Sequence, residues 1–274
     1  MDIIISNLPL ISMMIAAGIV GGILAGLLGV GGGIVIVPVL EFALGLVGVD
    51  PNIRMHIAVA TSLATIILTS LSSSRAHYKK KAIDLLLAKK WGVPIFLGSA
   101  LGTWIASQLD SGVLSAIFGI IALIVAIKMM LPARKYAEPK QASGNSFFLA
   151  VPTLIGGLSS MMGIGGGTLS VPVLTILHHP IHRAVGTSAL FGLIISIPAT
   201  VGFMVNGQGV AGLPFGSIGY VNIVGFMMIS PLTMLTAPFG AKIAHKLSQR
   251  HLSILFGSFL FLVAVRMIYR ATLG

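Results

Sequence analysis

Ten apolar stretches, most of them roughly 20 residues long, follow one another along the chain. They occupy about 8–30, 34–49, 55–74, 91–109, 112–131, 147–164, 168–178, 184–206, 218–246 and 252–271. Runs of this length predict helices in a membrane. Lipid is about 30 Å thick at its apolar core and offers the backbone no partner outside a helix or a closed barrel. The longest polar break, 132–146, divides the chain into a first half, 1–131, and a second half, 147–274.

The halves repeat each other. The 19 positions from Gly22 to Leu40 align without a gap on Gly156 to Leu174, and 10 are identical. The shared core is Gly-x-Gly-Gly-Gly followed by Val-Pro-Val-Leu. Further on, His56-Ile-Ala-Val-Ala-Thr-Ser62 matches His182-Arg-Ala-Val-Gly-Thr-Ser188. Gly102, Ala106, Leu109, Leu114, Phe118, Gly119, Val125, Ala126 and Met129 each recur 138 positions later. Shared low complexity does not produce those motifs in that order.

Charge orients the repeats. The loop between segments 3 and 4 carries Arg75, Lys79, Lys80, Lys81, Lys89 and Lys90 against Asp84, whereas its counterpart, 206–217, is uncharged. The next loop reverses the bias, with Asp110 in the first half and Lys242, Lys246 and Arg250 in the second. With basic loops inside, only Arg54, Arg266 and Arg270 of the 17 Lys and Arg residues lie outside. The expected fold is therefore an all-α integral membrane protein of two inverted-topology repeats. Each has about five apolar segments with glycine-broken or re-entrant helices near the midplane, 132–146 is a cytoplasmic linker, and both termini lie outside.

Composition narrows the class. Hydrophobic residues make up 56% and charged residues 8% of 274 positions, too few charges to cover a soluble globule. The net charge of +11 sits in short loops, so it speaks for membrane topology and not for nucleic acid. Without cysteine there is no disulfide, thiolate metal site or haem attachment motif, and no cofactor is expected. His178, His179 and His182 have metal-like spacing, but Pro180 interrupts their helix and no acid is near.

Inverted repeats place substrate near the midplane where they meet. Glycines there break helices, and a buried helix N-terminus with free N–H groups favours an anion. The candidate substrate residues are Gly31, Gly32 and Gly33 with Gly165, Gly166 and Gly167, and the hydroxyls of Thr61, Ser62, Thr187 and Ser188. Close helix packing and self-capping hydroxyls are the competing explanations. Arg183 reads as an interfacial anchor or an anion entrance. His56, His182 and Glu41 are candidates for proton coupling. Segment 2 is short enough for Glu41 to reach water, and its counterpart is Thr175.

The paired glycine motif leading into Val-Pro-Val-Leu, with Ala-Val-x-Thr-Ser downstream, resembles the TauE/SafE family, also called the sulfite exporter or toluene-sulfonate uptake permease family. The first copy has Ala60 where the second has the more family-like Gly186. The resemblance covers essentially the whole chain. It implies transport of sulfite, sulfoacetate or related organosulfur anions across a bacterial-type cytoplasmic membrane. The expected function is a secondary transporter of a small anion, working in export by alternating access, with the anion, protons and the lipid bilayer as partners and a homodimer as the assembly to test. A passive anion channel of the same architecture is the alternative. An intramembrane hydrolase would need a unique nucleophile, whereas Ser and His here come as repeated pairs.

Overall fold

The computed structural model describes residues 8–28, 31–131, 145–177, 179–244 and 249–273. Its helices follow the ten apolar segments. The first half gives α1 (Leu8–Leu28), α2 (Gly33–Leu46), α3 (Pro51–Lys79), α4 (Leu85–Gln108) and α5 (Ser111–Met130). The second half gives α6 (Asn145–Met161), α7 (Gly167–Ile176), α8 (Ile181–Asn206), α9 (Ile223–Ala244) and α10 (Gln249–Leu273). Most of the polar linker, and His178 of the histidine run, lie outside the described residues.

Two local features depart from the apolar pattern. The ninth segment begins not as helix but as a two-stranded antiparallel hairpin, β1 (Ser217–Ile218) and β2 (Val221–Asn222). Gly216 and Gly219 supply its left-handed backbone, and Asn222 then starts α9 by accepting from Gly225 N at 2.8 Å. The basic cluster expected in a loop rides mainly on helix ends. Arg75 and Lys79 belong to α3, and Lys89 and Lys90 to α4, leaving a link of only 80–84. Lysine and arginine are good helix formers, and cations suit the last turn of α3.

Among the described residues, α3, α4, α5, α8 and α9 contain stretches long and apolar enough to cross a membrane. In α3, 78% of that stretch is buried, against 33–50% in the others, which makes α3 the central helix. Its run Ala58-Val59-Ala60-Thr61-Ser62 is small and fully buried, letting α2, α5, α8 and α9 approach. By contrast α2 and α7 have 14 and 10 residues. At 1.5 Å per residue they reach roughly 21 and 15 Å, about half of an apolar core near 30 Å.

The halves do not pack as separate units. α1 packs along α9 of the other half, and α6 packs along α4. α3 packs on α8 and α5 on α10, while α2 and α7 each lean on the following helix. These main pairings recur when the two halves are exchanged, whereas the packing of α5 on α3 and of α10 on α2 belongs to one side. Glycine makes the swapped contacts possible. A Cβ at Gly240 of α9 would overlap the Ile23 carbonyl of α1, and one at Gly102 of α4 would overlap the Gly157 carbonyl of α6.

Candidate functional site

The two glycine motifs meet at the buried ends of α2 and α7. In the first, Gly31 and Gly32 adopt φ of 77° and 78°, a conformation that costs other residues a clash with their own carbonyl. A Cβ on Gly31 would stand 3.4 Å from Gly165 Cα, and one on Gly33 would overlap the Gly163 carbonyl. The second motif turns at Gly163, φ 66°, while Gly166 is right-handed and caps α7 without a side-chain bond. Only a hydrogen-sized side chain lets these segments touch. Gly166 in turn lies against α8, where a Cβ would come within 2.8 Å of Phe191 Cβ and 2.9 Å of Gly192 N.

Both helices begin inside protein. Their first backbone N–H groups have no intrahelical acceptor, and the helix dipole makes these ends partly positive. The prolines that follow, Pro38 and Pro172, do not end the helices as their loss of a donor would suggest; both sit inside them. Neighbouring groups can satisfy carbonyls freed in this way. The carbonyl freed by Pro38 is that of Ile34; the carbonyl of Pro38 accepts from Arg266 at 3.3 Å.

Of the hydroxyl pairs only Ser62 touches the glycine motifs, but each threonine makes the same kind of cross-link. Thr61 Oγ1 accepts from Asn222 N at 3.0 Å, and Thr187 Oγ1 accepts from Asp84 N at 2.9 Å. Asn222 and Asp84 occupy equivalent positions at the starts of α9 and α4, and each side chain caps its own helix. Every such link joins a helix of one half to a helix of the other, and each threonine keeps its own proton to donate. The serines differ. Ser62 Oγ donates to Gly163 O at 2.8 Å, directly bridging α3 to the second glycine motif. Ser188 Oγ is buried without a partner.

From Ser62 a ribbon of hydroxyls continues along α3 toward its basic end. Thr65 donates to Ser62 O at 2.7 Å, Thr69 donates to Thr65 O at 2.9 Å, and Thr69 Oγ1 lies 3.0 Å from Thr233 Oγ1 of α9. Sequence reasoning that looked only for repeated motifs missed Thr65, Thr69 and Thr233. For Thr65 and Thr69 the spacing of four on one helix was the available signal, while Thr233 on α9 offered none.

The histidines part company. His56 is buried, with Nε2 3.2 Å from the Ala106 carbonyl and Nδ1 3.3 Å from Ser111 Oγ. Its ring stacks on Tyr220 at 4.9 Å, and Tyr220 meets Phe203 edge-on. Tyr220 sits in the hairpin link, where burial pushes its phenol above the usual tyrosine range. His182 and Arg183 are exposed at the start of α8. Glu41 does not reach water. It is 1% exposed and pairs with both Arg266, at 3.4 Å, and Arg270. α2 is short, but α10 covers that face, and the Arg266 guanidinium also stacks on Phe42 at 4.5 Å. Arg54 Nε donates to Val49 O just beyond the C-terminus of α2. All three cations placed outside by charge counting thus have local partners on or beside α2.

The chain matches known proteins over nearly all its length. The family model described as sulfite exporter TauE/SafE matches residues 14–267. A probable membrane transporter protein of Haemophilus influenzae is 33% identical, the match covering 94% of this chain and 97% of the relative. The probable membrane transporter protein YunE of Bacillus subtilis is 28% identical over the same shares. A probable membrane transporter protein of Methanocaldococcus jannaschii is 30% identical over 92% and 93%. No solved structure matches. With its membrane-length helices, the chain is a multi-pass membrane protein, and it belongs to the sulfite exporter TauE/SafE family of membrane transporters.

Proposed function

We propose that the chain is a secondary transporter that exports a small anion, sulfite or a small organosulfonate, across the cytoplasmic membrane by alternating access. The observation that carries this reading is the meeting of two glycine-opened, half-length helices at a buried centre. Each directs an N-terminus inward, and among the described residues the atoms nearest a Cβ at Gly31, Gly32, Gly33 or Gly166 include none from lysine or arginine. Neutral N–H and O–H donors then replace the anion's water, as discontinuous helices do in transporters built from repeats. The hydroxyl ribbon of α3 offers a route toward the basic inner end, where Arg75, Lys79, Lys80 and Lys81 concentrate anion by long-range attraction.

The two repeats are inverted with respect to the membrane, and both termini face outside. The opposite charge of equivalent loops supports this, as do the main helix pairings, which recur on exchange of the halves. His56, buried beside the passage and hydrogen-bonded at both nitrogens, is the stronger proton-coupling candidate. His182 is exposed, and the Glu41 carboxylate is already neutralised by two guanidiniums, which fits a role in holding α10 to α2.

The test is sulfite flux into proteoliposomes containing the purified chain, with and without an imposed pH gradient. Saturable flux that the gradient drives uphill is expected. Flux that rises linearly with sulfite and never runs uphill would make the protein a channel. Cysteine introduced at position 110 should label from outside and at position 80 from inside; labelling of both from one face would overturn the inversion.

A further inference from the structure

Among the described residues, the buried side-chain polar atoms without a hydrogen-bond partner are Trp91 Nε1 and the hydroxyls of Ser159, Thr168, Ser170, Ser188 and Thr200. All of them belong to α4, α6, α7 and α8, four helices that pack on one another. The equivalent group of α9, α1, α2 and α3 contributes none. At the matching positions it carries Ile229, Ala25, Ile34, Ile36, Ser62 and Ser74. The first four are apolar, and the serines donate to the carbonyls of Gly163 and Leu71. A buried donor left unsatisfied lowers stability, so such groups are few in native proteins and call for a reason. Here every one falls in the same one of two equivalent helix groups.

Four of them lie around the start of α7. Thr168 and Ser170 both lie in its first turn. Ser188 lies one turn before Gly192 on α8, and Gly192 N is the atom that Gly166 packs against. Trp91 of α4 stacks on Phe191, the neighbour of that contact, with ring centroids 5.9 Å apart. Trp91, Ser170 and Ser188 are 0% exposed and Thr168 is 3% exposed. An indole N–H can donate but not accept, and the first N–H groups of α7 are donors as well. The ligand that completes this set must bring lone pairs and favour the positive end of a helix dipole.

We propose that each chain binds a single anion, in the α4–α6–α7–α8 group alone. It is held by the first N–H groups of α7, the hydroxyls of Thr168, Ser170 and Ser188, and the Trp91 N–H. The equivalent end of α2, walled by Ile34 and Ile36, serves as the apolar face against which this site opens and closes. The donors come from three helices, so the site suits a compact anion with oxygens on several sides better than a halide. This rests on the transporter reading above and narrows it from two equivalent motifs to one.

Equilibrium binding of radiolabelled sulfite to the purified full chain in detergent tests it. One saturable site per chain is expected, with chloride a weak competitor. Trp91→Phe keeps the ring and its stack but removes the donor. It should raise Kd about tenfold, as should Thr168→Val and Ser170→Ala, the scale of one lost hydrogen bond to a charged group. Ser115→Ala, which removes a buried hydroxyl bonded to Ser111 O in α5, should leave Kd unchanged. Thermal unfolding establishes that each variant is folded. Two sites per chain, or wild-type Kd in all three site variants, would overturn this inference and leave the transporter reading standing. Absence of saturable binding of sulfite, sulfate and thiosulfate to the wild-type chain would overturn both.

Discussion

In the group of α1, α2, α3 and α9, the glycine break is made by left-handed Gly31 and Gly32, and the helix it opens is lined with isoleucine. In the group of α6, α7, α8 and α4, left-handed backbone occurs at Gly163, Gly166 is right-handed, and the opened helix carries Thr168 and Ser170. The first group buries its histidine against Tyr220 and its Glu41 against two arginines. The second exposes His182, and has Thr175 where Glu41 stands. What the groups share is backbone: glycine contacts, threonine cross-links and helix caps. What they do not share is side-chain chemistry. Duplication here supplied a symmetric frame, and the polar residues diverged inside it.

Substitutions in matched pairs can break this comparison or sharpen it. The largest and most symmetric effect should come from the swapped glycines. Gly240→Leu and Gly102→Leu each push a side chain into a carbonyl of the neighbouring backbone, which has no flexible end to give. Neither variant should yield a monodisperse protein on size-exclusion chromatography. Normal behaviour of one of them would show that the two interfaces are not equivalent.

Glu41 against Thr175 is the most asymmetric pair. Glu41→Gln strands two guanidiniums, both partly exposed, and should cost about 2–3 kcal/mol of stability, less than for a fully buried pair. Thr175 only donates to Pro172 O within its own helix, so Thr175→Val should stay within about 1 kcal/mol. Thermal unfolding in detergent separates the two, and equal losses would deny the ion pairs their role.

The threonine cross-links should behave alike. Thr61→Val and Thr187→Val each leave a capping N–H without its acceptor, at a cost of about 1–2 kcal/mol. A difference between them larger than about 1 kcal/mol would mean that one link is dispensable. Smallest of all is the histidine contrast. His56→Phe retains the stack on Tyr220 but loses the contacts to Ala106 and Ser111, about 1 kcal/mol, while His182→Phe at an exposed position should be within about 0.5 kcal/mol of wild type. Differential scanning fluorimetry of both variants gives the comparison.

Much of this architecture was legible before any coordinates. All ten apolar segments became helices, the ninth after a short hairpin, because an apolar run in lipid must satisfy its own backbone. The glycine motifs announced the break, since consecutive glycines weaken a continuous helix at α2 and α7 alike. What escaped was anything decided by a partner distant in sequence. Apolar periodicity could not show that α1 would choose α9, because both helices look equally greasy on every face. The hairpin at 217–222 hid inside an apolar run whose only marks were Gly216, Gly219 and Asn222. Glu41 looked accessible because the arginines that neutralise it lie some 225 positions away. Reading the two motifs as equal also concealed the difference between Ile34 and Thr168, although it stands in plain view once the repeats are aligned.

The exchange of helices between halves has a consequence for how the protein comes into being. α1 emerges from the ribosome well before its main packing partner, α9, which begins at Ile223. At 5–20 residues per second, the intervening chain takes about 10–40 s to synthesise. Through that interval the first helix is inserted without its mate, with Gly18 and Gly22 exposed to lipid or to whatever chaperone shields them. Loss of α9 should therefore unsettle α1 as well, although the two lie far apart in the sequence.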